Sequence, residues 1–277
     1  PHLFSSAASD VYKRQGYHVS SDGQISFSDD ETKLYFGLAL PEIYQDTLLL
    51  KEEIVDVEVW TYDEPRLYTI QEMQLNNDKK KSFKSVYNFD NEKVIQIANK
   101  AFPNAIISEH GNSEYALISN PQPYQLSSQW TALFSKNDLA VKNIKNGDSE
   151  IVIKGNPSLA RLSPQGYYAY GYNQVDSTWY THNLKNSKYT ELTRGKIFYN
   201  ELSDYPNYPS SYGIAGWSKN DKTIFIYDRY DIWEFDPDTR NSKRLTNGRE
   251  SKTSYRLIRL DNEIKFIDTS QKLLMIT

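Results

Sequence analysis

"WSKNDKTIFIYDRYDIWEFDPDTRNSKRLT", residues 217–246, decides the fold. Short aromatic and aliphatic runs alternate in it with polar turns: Lys219-Asn220-Asp221, then Asp228-Arg229-Tyr230-Asp231, then Asp236-Pro237-Asp238. Asn, Asp and Pro at these points tolerate left-handed backbone, bond their own main chain or pre-set the turn, so the stretch reads as two hairpins in series. Ile226 and Tyr227 end one strand; Ile232, Trp233 and Phe235 begin the next, with Glu234 and Asp236 pointing the other way. The acids crowded into 228–238 read as a turn and a solvated face, with an Asp/Arg bond network closing the unit. A catalytic carboxylate pair would need convergent side chains in divergent environments, which local sequence cannot establish.

The pattern recurs along the chain. "VYNFDNEKVIQI" from Val86, "VKNIKNGDSEIVI" from Val141 and "YTHNLKNSKYTELT" from Tyr180 repeat the second hairpin, and "FSDDETKLYFG" from Phe27 and "LSPQGYYAYGY" from Leu162 repeat the first. Hairpin plus hairpin makes a four-stranded unit. The units end near Ile97, Ile153, Leu192 and Leu245, a spacing of roughly 40 to 55 residues, the period of propeller blades. "TIFIYD" and "YYAYGY" are apolar without clean alternation, as expected of strands covered on both faces by neighbouring blades. The expected fold is therefore all-β: a propeller portion of about four four-stranded blades plus part of another, an incomplete ring. Trp60, Trp179, Trp217 and Trp233 should be largely buried and helix scarce. The stretch 198–213, "FYNELSDYPNYPSSYG", with Pro206 and Pro209 interrupting any ladder, should be an irregular loop between blades. The 22 tyrosines fit as rim and wedge residues of twisted sheets.

Composition narrows the function. A net charge of -4 lacks the basic excess of a nucleic-acid surface, and Lys79-Lys80-Lys81 reads as a solvated turn. No apolar run reaches the length of a membrane span. Zero cysteines exclude disulfides, thiolate metal sites and a cysteine nucleophile, and leave the compartment, and so the localisation, undetermined. Residues 1–15, "PHLFSSAASDVYKRQ", share no periodicity with the rest of the chain and are expected to be a non-native or disordered segment, leaving 16–277 as the propeller domain.

Residues 212–237, followed by "RLTNGRE" at 244–250 and "RLDNEIKFIDTSQKLL" at 259–274, closely resemble the propeller domain of prolyl oligopeptidase-family serine peptidases. The resemblance runs upstream through "SFSDDETKLYFG", "VDVEVWTYDEP" at 55–65, "SVYNFDNEKVIQIA" and "SQWTALFSKNDLAVKNI", covering roughly 22–277. Lys219-Asn220-Asp221 departs from the family's Asp-Gly turn. The resemblance implies a propeller that gates peptide access to a Ser, Asp and His on an α/β-hydrolase domain, which is expected to be absent from this chain; its partners would be that C-terminal domain and a peptide substrate. A non-catalytic binding or scaffold propeller is the alternative.

No residue here is assigned a catalytic, cofactor-binding or metal role. A nucleophile elbow needs G-x-S-x-G, and neither Ser113, followed by Glu114-Tyr115, nor Ser218, followed by Lys219-Asn220, has the closing glycine. His2, His18, His110 and His182 show no ligand spacing and read as surface or satisfied histidines. The pair Glu52-Glu53 could hold a substrate ammonium, yet its flanks do not match the family's motif and it reads equally as the solvated end of an insertion.

Overall fold

The structure, a computed structural model, describes residues 16–41, 50, 52, 61–130, 136–261 and 263–277. Four antiparallel sheets succeed one another along the chain, each with its strands in chain order. The first has β1 (His18–Val19) and β2 (Ser26–Phe27) both on the edge of β3 (Lys33–Ala39), then β4 (Phe83–Asn88) and β5 (Lys93–Gln96). The break between β1 and β2 lets Gly23 lie against Gly37 so closely that a side chain on either would strike the other's backbone. The second sheet is β6 (Asn104–Ile106), β7 (Tyr115–Asn120), β8 (Asn137–Asn143) and β9 (Ser149–Asn156). The third is β10 (Arg161–Leu162), β11 (Tyr168–Asn173), β12 (Thr178–Asn183) and β13 (Lys188–Glu191). The fourth is β14 (Ile214–Trp217), β15 (Ile224–Tyr227), β16 (Ile232–Phe235) and β17 (Ser242–Arg244), and a two-stranded piece, β18 (Arg256–Leu257) with β19 (Met275–Ile276), comes after it. Every hairpin expected from the repeat is present.

The cores show how the sheets stack. Tyr35 and Val86 of the first sheet pack on Ala116, Ile118 and Ala140 of the second. Leu117, Leu139 and Val141 of the second pack on Leu162 and Ala169 of the third. Tyr168, Tyr170 and Trp179 of the third pack on Trp217, Ile224, Ile226 and Phe235 of the fourth, and Phe225, Tyr227 and Ile232 pack on Ile267 beyond it. Alternate residues of one strand therefore serve different neighbours: Ile224 and Ile226 face backward, Phe225 and Tyr227 forward. That is why "IFIY" is apolar throughout and buried at all four positions. Blades stacked in series, their first strands meeting at a common inner wall, make an all-β propeller arrangement.

The turns obey the physics of their residues. Asn143 Oδ1 accepts the amides of Lys145 and Asn146, Asn183 Oδ1 those of Lys185 and Asn186, and Asp236 Oδ1 those of Asp238 and Thr239. Ser28, Ser163 and Ser218 open the other hairpin of their blades alike, each hydroxyl accepting the amide five residues on, from Lys33, Tyr168 and Thr223. Where a glycine would be expected, Asn220 and Asp221 both take left-handed backbone, at φ 60° and 52°.

Most expectations hold, and Trp233 departs from them. Helix is scarce but includes α1 (Tyr68–Lys79), which buries no side chain; its Gln, Glu, Met and Leu favour helix by propensity, and no apolar stripe announces it. Trp179 and Trp217 are buried, whereas Trp233 is only half-buried, its indole against Phe198 at 5.9 Å and under the Lys196 ammonium at 5.0 Å. Trp60 lies outside the described residues, as do residues 1–15. The 198–213 stretch is irregular apart from the bridge Tyr199–Ser211.

Candidate functional site

The acidic cluster at 228–238 is structural, and its two central carboxylates are buried rather than solvated: Asp231 is 0% exposed and Asp228 3%. Asp231 accepts the amides of Gly248 (2.5 Å) and Arg249 (3.2 Å) and the Thr246 hydroxyl (2.7 Å), with the Arg244 guanidinium at 3.6 Å. Asp228 accepts the amides of Tyr230 and Asp231, the Trp233 indole N–H at 3.1 Å and Arg249 at 3.3 Å. Arg249 also pairs with Glu201 at 2.9 Å, tying the irregular 198–213 stretch to the fourth blade. Every oxygen is spoken for by a fixed donor, which suits a bracket and leaves no site for a reacting atom.

A second buried carboxylate joins two blades. Asp221, 1% exposed, reaches from the fourth blade to the third, where it accepts the Ser163 hydroxyl (2.5 Å) and the amides of Gln165 and Tyr167. Burial raises its carboxyl above the usual range, and the Ser163 and backbone hydrogen bonds oppose that rise. Equivalent contacts join the first and second blades: Asp29 and Asp30 donate their amides to His110 O and Asn112 Oδ1, and the Tyr35 hydroxyl donates to Gly111 O at 2.6 Å. Asp29 Oδ2 then meets both His110 Nδ1 (2.7 Å) and Lys265 Nζ (3.1 Å), so the first blade touches the last described segment. Those two partners hold the Asp29 carboxyl below its ordinary value.

The candidate binding site is the inner wall beside these turns. Two adjoining cavities of about 650 Å³ each share Leu159, Arg161, Tyr170 and Ile214. The first strands of three blades reach it: β6 through Ile106, β10 through Arg161 and Leu162, and β14 through Ile214 to Trp217, with Arg259 and Lys265 completing the lining. This volume suits a small ligand or a few residues of peptide. Gly216, at φ +148°, takes a backbone conformation that side-chain-bearing residues rarely adopt, and a methyl group at its Cα would also displace the terminal nitrogen of Arg259, 2.5 Å away. Arg259 lies over that bare backbone and donates to Ala215 O at 3.3 Å. Burial raises the Tyr170 hydroxyl above its ordinary range, and the positive charge of Arg161 is the largest influence opposing it. The groove thus combines apolar walls with guanidinium groups, able to hold an extended, partly charged ligand but offering no nucleophile paired with a base.

The residues weighed from sequence fall elsewhere. Ser113 and Ser218 accept the amides of Tyr115 and Thr223 within their turns. His18 sits on β1, His110 pairs with Asp29, and His182 is buried on β12 with both ring nitrogens unbonded, which corrects its reading as a surface or satisfied histidine. Burial pushes its imidazole below the ordinary pKa, the Glu150 carboxylate opposing the shift. Glu52 is exposed; Glu53 and His2 lie outside the described residues. Among the described residues no group of three or more His, Asp or Glu could hold a metal ion, and no helix is long and apolar enough to cross a membrane. Arg161, Tyr170 and Arg259 were not singled out from sequence; the available signal was the place of Arg161 two residues before the repeated turn serine, on a first strand.

No protein-family model and no curated protein matches the chain. Solved structures do. TolB from Acinetobacter baumannii is 12% identical, with 87% of this chain and 57% of that one covered and a TM-score of 0.32. Dipeptidyl peptidase 4 from Porphyromonas gingivalis is 13% identical, covering 80% of this chain and 30% of that one at a TM-score of 0.40. The chain is also similar to the β-propeller domain of the Trilobed protease from Pyrococcus furiosus, 13% identical over 52% of this chain and 43% of that one, at a TM-score of 0.29. It spans less than two thirds of the length of each of these proteins.

Proposed function

We propose that residues 16–277 are the substrate-gating propeller of a serine peptidase of the prolyl oligopeptidase family, with peptide hydrolysis performed by an α/β-hydrolase domain outside residues 1–277. Supporting it are the long motif resemblance of the sequence and, above all, the groove on the inner wall, where Ile106, Leu159, Ile214 and Trp217 offer apolar surface beside Arg161 and Arg259. The chain's own chemistry is selection: the groove width and its charges decide which peptides pass, while nucleophile, base and oxyanion donors come from the other domain.

The test is to express the 277-residue chain and the same reading frame extended to its natural stop, and to assay both with peptide p-nitroanilides and a fluorophosphonate probe. The expected result is an inert short chain and an extended chain that labels at one serine and turns over. Labelling of a serine within residues 1–277, or an extended frame that ends within one more blade and stays inert, would overturn the proposal, the latter in favour of a scaffold propeller.

A further inference from the structure

The geometry points to a carboxylate-binding subsite in the inner groove, formed by Arg161 and Arg259 and accepting a peptide segment in which a carboxylate stands beside an apolar side chain. This deepens the proposed gating function and rests on it. Both guanidinium groups line the same 650 Å³ cavity, and neither forms an ion pair among the described residues. The third cation in the lining, Lys265, is already engaged by Asp29. Only one carboxylate, that of Glu109, is among the lining residues, against two guanidiniums that have no ion-pair partner among the described residues, so the cavity is left with an excess of positive charge beside Ile106, Leu159 and Ile214.

The arginines are placed rather than merely present. Arg161 begins the first strand of the third blade beside the Tyr170 hydroxyl, and Tyr170 packs edge-on against Trp217 at 5.2 Å. Next along β14 comes Gly216, whose missing side chain gives Arg259 its berth. A contiguous path of contacts thus joins the two cations across the cavity. Each keeps planar N–H donors free, the geometry that recognises a carboxylate in bidentate fashion. Both guanidiniums are exposed, so the pair gains its selectivity from the two converging cations and the bidentate geometry rather than from burial. The carboxylate could come from a peptide's C-terminus or from an acidic side chain; the chemistry of the contact is the same.

The 277-residue chain is titrated by calorimetry with acetyl-Leu-Phe, acetyl-Leu-Phe-amide and acetyl-Asp-Phe-amide, with Trp179 and Trp217 fluorescence as a second readout. We expect the free acid to bind about tenfold or more tightly than its amide, and Arg161→Ala or Arg259→Ala each to lose about tenfold. Arg161→Lys and Arg259→Lys should retain part of the affinity, since charge survives without the planar fork. Restoration of binding by the aspartyl amide assigns the subsite to acidic side chains; failure of that peptide alone assigns it to C-termini. Equal binding of acid and amide, wild-type affinity in both alanine variants, or no binding of any peptide at millimolar concentration would overturn the inference. Cleavage of amidated peptides by the extended chain in that case would leave the gating proposal standing.

Discussion

Replacing Asp231 by Ala tests the bracket that closes the fourth blade. The side chain is fully buried, and its loss strips the Gly248 and Arg249 amides of their acceptor while the Thr246 hydroxyl can rotate to another partner. An orphaned buried donor costs about 1–3 kcal/mol, so two give about 2–6 kcal/mol of lost stability. With a urea dependence of about 3 kcal/mol per molar, the midpoint should fall by about 0.7–2 M. Asp231→Asn keeps the shape and one acceptor oxygen and should fall between wild type and Ala. Tryptophan fluorescence in urea reads the global effect, and amide hydrogen exchange at Gly248 and Arg249 reads the local one. Asp204→Asn, on an exposed residue of the 198–213 stretch, is the control. A loss for Asp231→Ala no larger than that control, or unchanged exchange at the two amides, would refute the bracket.

The same geometry sets three further outcomes. The Asp221 carboxyl is raised by burial, so its protonated form favours the fold below the ordinary carboxylate range and that contribution is lost as pH rises through the raised value; Asp221→Asn should flatten this part of the stability–pH curve, and an unchanged curve would count against it. Gly216→Ala should both destabilise, by about 1–3 kcal/mol from backbone strain, and weaken peptide-acid binding by displacing Arg259, which calorimetry and urea melts read separately. Met73→Ser on α1, at a side chain 83% exposed, should leave the urea midpoint within about 0.5 kcal/mol of wild type; a larger loss would mean that α1 is packed against something.

The blades were legible because their signals are local. A serine, a polar turn and an aromatic run spell one hairpin within a dozen residues, and Asn or Asp at a strand's end caps the next turn whatever lies around it. Burial of Asp228 and Asp231 was not legible, since their donors at Thr246, Gly248 and Arg249 come from a later turn and the same letters would serve a solvated loop. His182 illustrates the converse: its place on a hairpin strand was clear, but only the packing of the second blade against the third reveals a buried imidazole with no hydrogen-bond partner, at the wall of a small cavity. The groove needed the fold outright, because Arg161 on β10, Gly216 on β14 and Arg259 just after β18 come from three parts of the chain whose convergence is a property of the stack.

Each blade shares a core only with the one before and the one after, which makes the molecule thermodynamically a one-dimensional array of nearest-neighbour couplings. In such an array a weakened junction does not diminish the whole evenly; it divides the melt at that point. Asp221, seated between the third and fourth blades, and the Leu117–Leu162 contact between the second and third are therefore places where cooperativity itself is set. The Lys265–Asp29 contact is of another kind, since it joins the first member of the series to the last described segment. Through one partly screened ion pair it turns a line with two fraying ends toward a loop with none.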